Sequence, residues 1–125
     1  MIRAFHRSED LWQEVSVDTK ETFFKDNIWV DLNSPTFQDI EQAQTQLNIE
    51  IPSRAEMQEI EATSRLYREN NTYFMTASII TNPDIDHMEV SAITFIFGDR
   101  FLATVRVSPC DSFDDNLFIY ILSLF

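Results

Sequence analysis

Apolar side chains along residues 37–47 recur at the spacing of a helix that packs one face against a sheet. Phe37, Ile40 and Leu47 fall on that face, while charged and amide side chains occupy the other positions. The pattern predicts an amphipathic helix whose apolar face is buried.

A serine marks the predicted start of each of two helices. Ser34 stands just before a proline and can accept a hydrogen bond from a free amide of the first turn. Ser53 and Glu56 form an S-x-x-E capping box, which predicts a second helix that begins at Ser53. The inward positions of that helix recur at the spacing of the first: Met57, Ile60, Ser64 and Tyr67.

Runs of β-branched and aromatic residues predict the strands of a sheet. They cover residues 2–5, 27–32, 73–80, 90–97 and 101–107. Both faces of the 73–80 run are apolar or small, so we expect a central strand covered on both sides. Gly98, the only glycine, is expected to take a positive φ in a tight turn that makes the last two strands antiparallel neighbours. Ser8 is expected to cap a short helix through Trp12.

The order of these elements indicates an α/β (α+β) fold with a mixed parallel/antiparallel sheet covered by helices. The chain has 125 residues, which is the size of one domain, so we expect a single domain over residues 1–125. Hydrophobic residues make up 44% of the sequence and can form its packed interior.

The formal net charge of −12 restricts the partners of the protein. It would repel the phosphate backbone of nucleic acids and anionic lipid head groups, so we expect no nucleic-acid binding. Divalent cations fit this charge better. The acidic excess is also explained by solubility alone.

Cysteine usage and hydropathy bear on the compartment. Cys110 is the only cysteine, so an intrachain disulfide is excluded and a reducing, cytoplasmic setting is favoured. The N-terminus lacks the apolar core of a signal peptide, and the apolar run from Leu117 to Phe125 is far shorter than the roughly 20 residues of a membrane-spanning helix. We expect a chain that is itself soluble and has no transmembrane segment.

The sequence offers little for catalysis. A single glycine excludes the glycine-rich loops that hold phosphates, and His6 and His87 are the only imidazole bases. The acidic residues after Cys110 are expected to disfavour a reactive thiolate. We therefore expect no enzymatic activity, no catalytic residue and no cofactor-binding residue.

Two acidic clusters are candidate metal sites. Asp84 and Asp86 lie in a predicted loop, next to His87, and offer oxygen ligands for a hard cation. Glu56 and Glu59 lie on the outward face of the second predicted helix. A solvated loop explains the first cluster without any metal, and helix capping with surface solvation explains the second.

Two stretches of the chain resemble the start of the cytoplasmic domain of CorA-type divalent-cation channels. "IWVDLNSPT" is similar to the W-I-D-L-x-x-P-T-like segment that ends a strand in this family. "LNIEIPSRAEMQEIEATSRLYRENNTYFMTASII" has the family's short L-x-I connection, its acidic helix and its charged aromatic patch before a strand. The resemblance is clearest over residues 28–107.

The resemblance implies an α/β domain that forms the cytoplasmic regulatory and assembly portion of a Mg²⁺ or Co²⁺ channel. The full-length proteins of the family are homopentamers with this domain at the cytoplasmic face of the inner membrane. An acidic residue of the second helix helps to hold a regulatory ion in the family, and Glu56 aligns there, with Glu59 one turn later. Mg²⁺ or Co²⁺ is therefore expected as a weakly bound regulatory ion.

The family's stalk helix, two transmembrane helices and G-M-N signature do not occur in these 125 residues. We therefore expect this chain alone to be a monomer or a weak dimer. A truncation, a natural short product and a divergent family member all fit the sequence. The alternatives are a stand-alone soluble interaction protein that kept the fold without transport, and part of a ZntB-like zinc transporter.

Overall fold

Seven strands and two helices account for most of the residues that the structure describes. A computed structural model describes residues 1–9, 11–18, 26–58, 66–82, 86 and 89–106. The strands are β1 (Ile2–Ser8), β2 (Leu11–Val15), β3 (Ile28–Asn33), β4 (Leu66–Glu69), β5 (Thr72–Asn82), β6 (Glu89–Phe97) and β7 (Phe101–Arg106). The helices are α1 (Phe37–Leu47) and α2 (Arg54–Gln58).

All seven strands form one mixed sheet in the order β2-β1-β3-β7-β6-β5-β4. The pairing is antiparallel throughout, apart from β3 and β7, which run parallel with Val30 opposite Ala103. Both helices lie between β3 and β4 in the chain. The prediction of a mixed sheet with helices packed on it is therefore confirmed.

The main core lies between the helices and one face of the sheet, which we call the helix face. It joins side chains of the central strands to side chains of the helical segment: Ala4, Ile28, Val30, Leu32, Ala43, Ile51, Met57, Phe74, Ala92, Ile96, Ala103 and Val105. The opposite face carries a smaller cluster around Trp29, which stacks on Phe5 at 4.8 Å between ring centroids and is fully buried.

Residues 11–15 form a strand, so the predicted helix from Ser8 to Trp12 is wrong. β2 folds back along β1 with Arg7 opposite Trp12. The ring of Trp12 packs edge-on against Trp29 at 5.8 Å. This cross-strand contact with a buried aromatic ring outweighs the weak helix signal of a lone serine.

Helix α1 forms where the spacing predicts it, but two details differ. Thr36, and not Ser34, is the N-cap: its hydroxyl accepts from the amide of Asp39 at 3.2 Å, and the Asp39 carboxylate accepts from the amide of Thr36 at 3.0 Å. Phe37 is 76% exposed. At about 100° of rotation per residue, Phe37 lies about 120° around the helix from buried Ala43, whereas Ile40 and Leu47 lie closer and are partly buried in the core.

The second predicted helix is present at its start but does not extend to Tyr67. Its described part is α2, Arg54–Gln58, whereas Tyr67 belongs to strand β4 and pairs with Phe74. Asn70 and Asn71 both have positive φ and form the two-residue turn between β4 and β5. Met57 is buried as predicted, while the predicted inward positions Ile60 and Ser64 lie outside the described residues.

Over residues 73–76, strand β5 is covered on one face, contrary to the prediction. Phe74 and Thr76 are buried on the helix face, whereas Tyr73 and Met75 on the opposite face are 48% and 38% exposed. The cause is its position: β5 is second from the edge of the sheet.

The predicted β6–β7 hairpin is confirmed, but Gly98 does not have positive φ. A Cβ at this position would lie 2.2 Å from Cε1 of the Phe101 ring. A side chain at this position would displace the Phe101 ring, which accounts for the glycine.

Candidate functional site

The predicted metal ligands lie in different parts of the chain. Glu56 is exposed in the first turn of α2, and Asp86 is exposed in the β5–β6 connection. Glu59 and Asp84 lie outside the described residues, so neither predicted pair is defined as a pair by the structure.

Glu56 is tied to the start of α2 by the predicted capping box. Its carboxylate accepts from the amide of Ser53 at 3.2 Å, and the hydroxyl of Ser53 accepts from the amide of Glu56 at 3.1 Å. The next residue, Met57, is only 3% exposed and anchors the helix in the core. The backbone of Glu56 is thereby fixed, while its side chain stays in solvent.

The chain between α1 and α2 brings a second carboxylate to the same region. Asn48 ends α1 in the left-handed conformation, and the side-chain oxygen of Gln44 accepts from the amide of Ile51 at 2.9 Å. Ile49 and Ile51 contact the core on either side of exposed Glu50. Two apolar anchors therefore hold this connection and leave its glutamate in solvent.

The β4–β5 hairpin supplies a third carboxylate. Glu69 pairs with Thr72 across the two-residue turn and lies on the helix face of β4. Glu69, Asn70 and Thr72 face the α1–α2 connection across a cleft of about 230 Å³. We call this feature the acidic cleft; it is lined by Asn48, Ile49, Glu50, Glu69, Asn70, Thr72 and Phe74.

Tyr67 links the acidic cleft to Glu56. Its ring stacks on Phe74 at 4.8 Å with an interplanar angle of 2°. Burial and the nearby carboxylates of Glu69, Glu56 and Glu50, in that order, raise the pKa of the Tyr67 hydroxyl. Three negative charges from three different elements therefore act on one phenol.

The arrangement suits a hydrated cation better than a tightly coordinated one. The acidic side chains offer oxygen atoms, which hard ions such as Mg²⁺ prefer. In the parts of the chain that the structure describes, no three His, Cys, Asp or Glu side chains are grouped closely enough to hold a metal ion. A cation here would keep most of its water ligands.

Sequence reasoning missed Glu50 and Glu69 as neighbours of Glu56. The predicted second helix reaches Tyr67 and ends at "RENN", so it leaves no strand before the turn and conceals the hairpin that carries Glu69 to this side of the sheet. The available signal was "LYRENNTYF", in which two asparagines, a residue type that tolerates positive φ, separate two runs that contain aromatic residues, as in a two-residue hairpin.

No helix among the described residues is long and apolar enough to span a bilayer.

The family model of CorA-like Mg²⁺ transporter proteins matches residues 24–120 of the chain. The match covers most of the sequence, including the parallel strand pair, both helices and the acidic cleft. The chain belongs to the CorA-like Mg²⁺ transporter family.

Individual CorA proteins are distant relatives of the chain. The magnesium transport protein CorA of Pectobacterium atrosepticum is 29% identical over 87 residues, which are 70% of this chain and 28% of that protein. The corresponding protein of Haemophilus influenzae is 26% identical over 106 residues, with coverage of 85% and 33%. The chain spans about a third of the length of these curated relatives.

The fold is also that of a solved CorA soluble domain. The structure of the soluble domain of CorA from Methanocaldococcus jannaschii aligns over 100% of this chain and 47% of its own, with a TM-score of 0.63 and 11% identity. The cytoplasmic domain of ZntB from Vibrio parahaemolyticus aligns over 86% of the chain and 43% of its own, with a TM-score of 0.54 and 11% identity. At these identities the likeness concerns the fold.

Proposed function

We propose that this chain is the cytoplasmic regulatory and assembly portion of a CorA-like channel that carries Mg²⁺ or Co²⁺ across the inner membrane. The observation that carries the proposal is the family match over residues 24–120, together with a sheet and two helices that align with a CorA soluble domain over the full chain. In this proposal the chain binds and assembles, and it performs no catalysis.

The gene itself provides the first test. A CorA-like channel needs apolar segments of roughly 20 residues to cross the bilayer. We expect the genomic reading frame that encodes this sequence to continue into two such segments. A stop codon directly after Phe125 in the genome would contradict the channel proposal and favour the stand-alone interaction protein.

The second part of the proposal concerns regulation by the transported cation. Glu56, with Glu59 one turn later, is the proposed site of a weakly bound Mg²⁺ or Co²⁺ ion. The exposure of Glu56, its oxygen donors and the neighbouring charges of Glu50 and Glu69 support this assignment. The carboxylate of Glu56 already accepts a hydrogen bond from Ser53, and most ligands would be water, so we expect dissociation constants in about the millimolar range.

An NMR titration with Mg²⁺ separates the helix site from the rival loop site. We expect chemical-shift changes near Glu56 that are reduced in Glu56→Gln and retained in an Asp84→Asn, Asp86→Asn double variant. Glu41→Gln is the matched control, since Glu41 is an exposed helical glutamate on α1. Changes that persist in Glu56→Gln and vanish only in the loop variant would move the assignment to Asp84 and Asp86.

The third part concerns assembly. We propose that the full-length protein is a homopentamer held mainly by segments outside these 125 residues, so that this chain alone is a monomer or a weak dimer. Light scattering at micromolar concentration measures this directly. A stable pentamer of the isolated chain would contradict the proposal.

A ZntB-like zinc transporter is the second candidate, because the ZntB cytoplasmic domain aligns with a TM-score of 0.54. Oxygen donors favour Mg²⁺, whereas zinc sites generally use histidine or cysteine. The carboxylates around Tyr67 therefore favour the magnesium and cobalt proposal. Metal competition in uptake experiments distinguishes the two.

A further inference from the structure

The sheet consists of two antiparallel blocks that meet at a single described junction. One block contains β2, β1 and β3, and the other contains β7, β6, β5 and β4. The junction is the parallel pair β3–β7, in which Asp31 lies opposite Thr104. The alignment of the two blocks therefore depends on the register of this one pair.

Neither the connection nor the apolar pattern fixes that register well. Residues 34–100 separate β3 from β7, so no tight turn aligns them, whereas residues 98–100 alone join β6 to β7. Both strands are almost continuously buried. A slip of one residue would exchange the two faces, but a slip of two residues would keep every side chain on its own face.

A buried polar network crosses this junction on the face opposite the helices. The indole nitrogen of Trp29 donates to the hydroxyl of Thr104 at 2.9 Å, and that hydroxyl donates to Asp31 at 2.8 Å. The guanidinium of Arg106 donates to the other carboxylate oxygen of Asp31 at 2.6 Å. Side-chain exposure is 3% for Asp31 and 7% for Arg106, so the ion pair is buried.

We infer that this network selects the register of β3 against β7 and thereby aligns the two halves of the sheet. A two-residue slip that places Asp31 opposite Leu102 would move Thr104 and Arg106 away from the Asp31 carboxylate, and it would move the Thr104 hydroxyl away from the Trp29 indole. Buried polar groups and charges without partners are costly, whereas a slipped pair of apolar strands loses little. The hydrogen bonds therefore discriminate between alignments that the apolar contacts do not.

This inference gives a physical reason for two residues of the "IWVDL" segment. An aspartate in a fully buried strand is unfavourable by itself, and replacing a buried ion pair by apolar residues often leaves stability unchanged or raises it. The presence of Trp29 and Asp31 in this strand is then explained by their selection of the β3–β7 register, and not by a gain in stability. The inference is independent of the proposed transport function.

The test uses an apolar network variant, Asp31→Leu with Thr104→Val and Arg106→Met. NOEs between the side chains of Val30 and Ala103, which lie opposite each other in the native register, report the alignment. In the unmodified protein we expect one set of Val30 resonances with contacts to Ala103. In the variant we expect a second set with contacts to Phe101, as the slip that places residue 31 opposite Leu102 requires.

The matched control is a second buried polar pair in a hairpin. The hydroxyls of Thr76 and Thr94 lie 2.8 Å apart across β5 and β6, whose connection restricts their register. A Thr76→Val, Thr94→Val variant should keep a single alignment. A second set of resonances in this control would show that any loss of buried polar contacts loosens the sheet, and would overturn the inference.

The inference would also be overturned if the apolar network variant folds and shows a single set of Val30–Ala103 contacts. If that variant does not fold, Thr104→Val alone decides the question, because it removes only the hydroxyl between Trp29 and Asp31. A minor slipped population above the detection limit is then expected, and its absence would contradict the inference.

Discussion

Met57 is the residue on which the docking of α2 and the position of Glu56 depend most. Isolated helices shorter than about 12–15 residues are marginal in water, so α2 relies on tertiary contacts, and Met57 is the buried residue of its described part. Met57 is 3% exposed and packs in the main core with Ile51 and Phe74. Met57→Ala removes three heavy atoms from a packed site and leaves a cavity.

We expect Met57→Ala to lower the free energy of unfolding by about 2–5 kcal/mol, the range for such truncations in cores. Phe37→Ala is the contrasting control: Phe37 is the larger side chain but is 76% exposed, so a change within about 0.5 kcal/mol is expected. Urea unfolding followed by circular dichroism measures both. If both variants lose the same free energy of unfolding, or if Phe37→Ala loses more, the packing of α2 described above is refuted.

Two other predictions concern the β6–β7 turn and the acidic cleft. Gly98→Ala should lower the free energy of unfolding in urea by about 1–3 kcal/mol, because the added Cβ would lie 2.2 Å from the Phe101 ring. Adding Phe101→Leu to this variant should recover part of the lost free energy. The pKa of Tyr67 in the folded protein is raised above its ordinary 10.0. The protonated phenol therefore stabilises the fold below pH 10, and this stabilisation is lost as the pH rises through the pKa of the folded state. A Glu50→Gln, Glu69→Gln variant should lower the pKa of Tyr67, measured as the alkaline difference absorbance against Tyr67→Phe. An unchanged pKa would show that Glu50 and Glu69 do not act on the phenol.

The parts of the fold that sequence predicts well are those in which local chemistry and tertiary packing agree. Helix α1 combines apolar spacing with a proline near its start, and β3 is a dense run of branched and aromatic residues. The only glycine of the sequence marks the turn of the β6–β7 hairpin. The Phe101 ring, and not a positive φ, accounts for a glycine at this turn.

The wrong predictions come from tertiary contacts that a local pattern does not contain. Residues 11–15 carry no strong strand signal, and they form β2 because β1 and the Trp29 ring are beside them. Tyr67 has helical spacing from Met57 by coincidence, while its actual partner is Phe74 in the next strand.

The candidate site was only partly predictable for the same reason. Glu56 could be identified from its capping box and from the resemblance to the CorA family. Glu50 and Glu69 approach Tyr67 only after the α1–α2 connection and the β4–β5 hairpin have folded. The network of Asp31 and Arg106 joins residues 75 positions apart in the chain, which no local spacing reveals.

Uptake of Co²⁺ and Mg²⁺ by cells is the most direct test of the proposed function. The gene that contains this sequence, with its full natural reading frame, would be expressed in a bacterium that lacks its own Mg²⁺ uptake systems. We expect uptake of Co²⁺ that Mg²⁺ inhibits, together with growth at low Mg²⁺, and we expect neither from a gene limited to residues 1–125. Zn²⁺ uptake that Mg²⁺ does not inhibit, or no metal uptake from the full reading frame in membranes that contain the protein, would contradict a CorA-like Mg²⁺ and Co²⁺ channel.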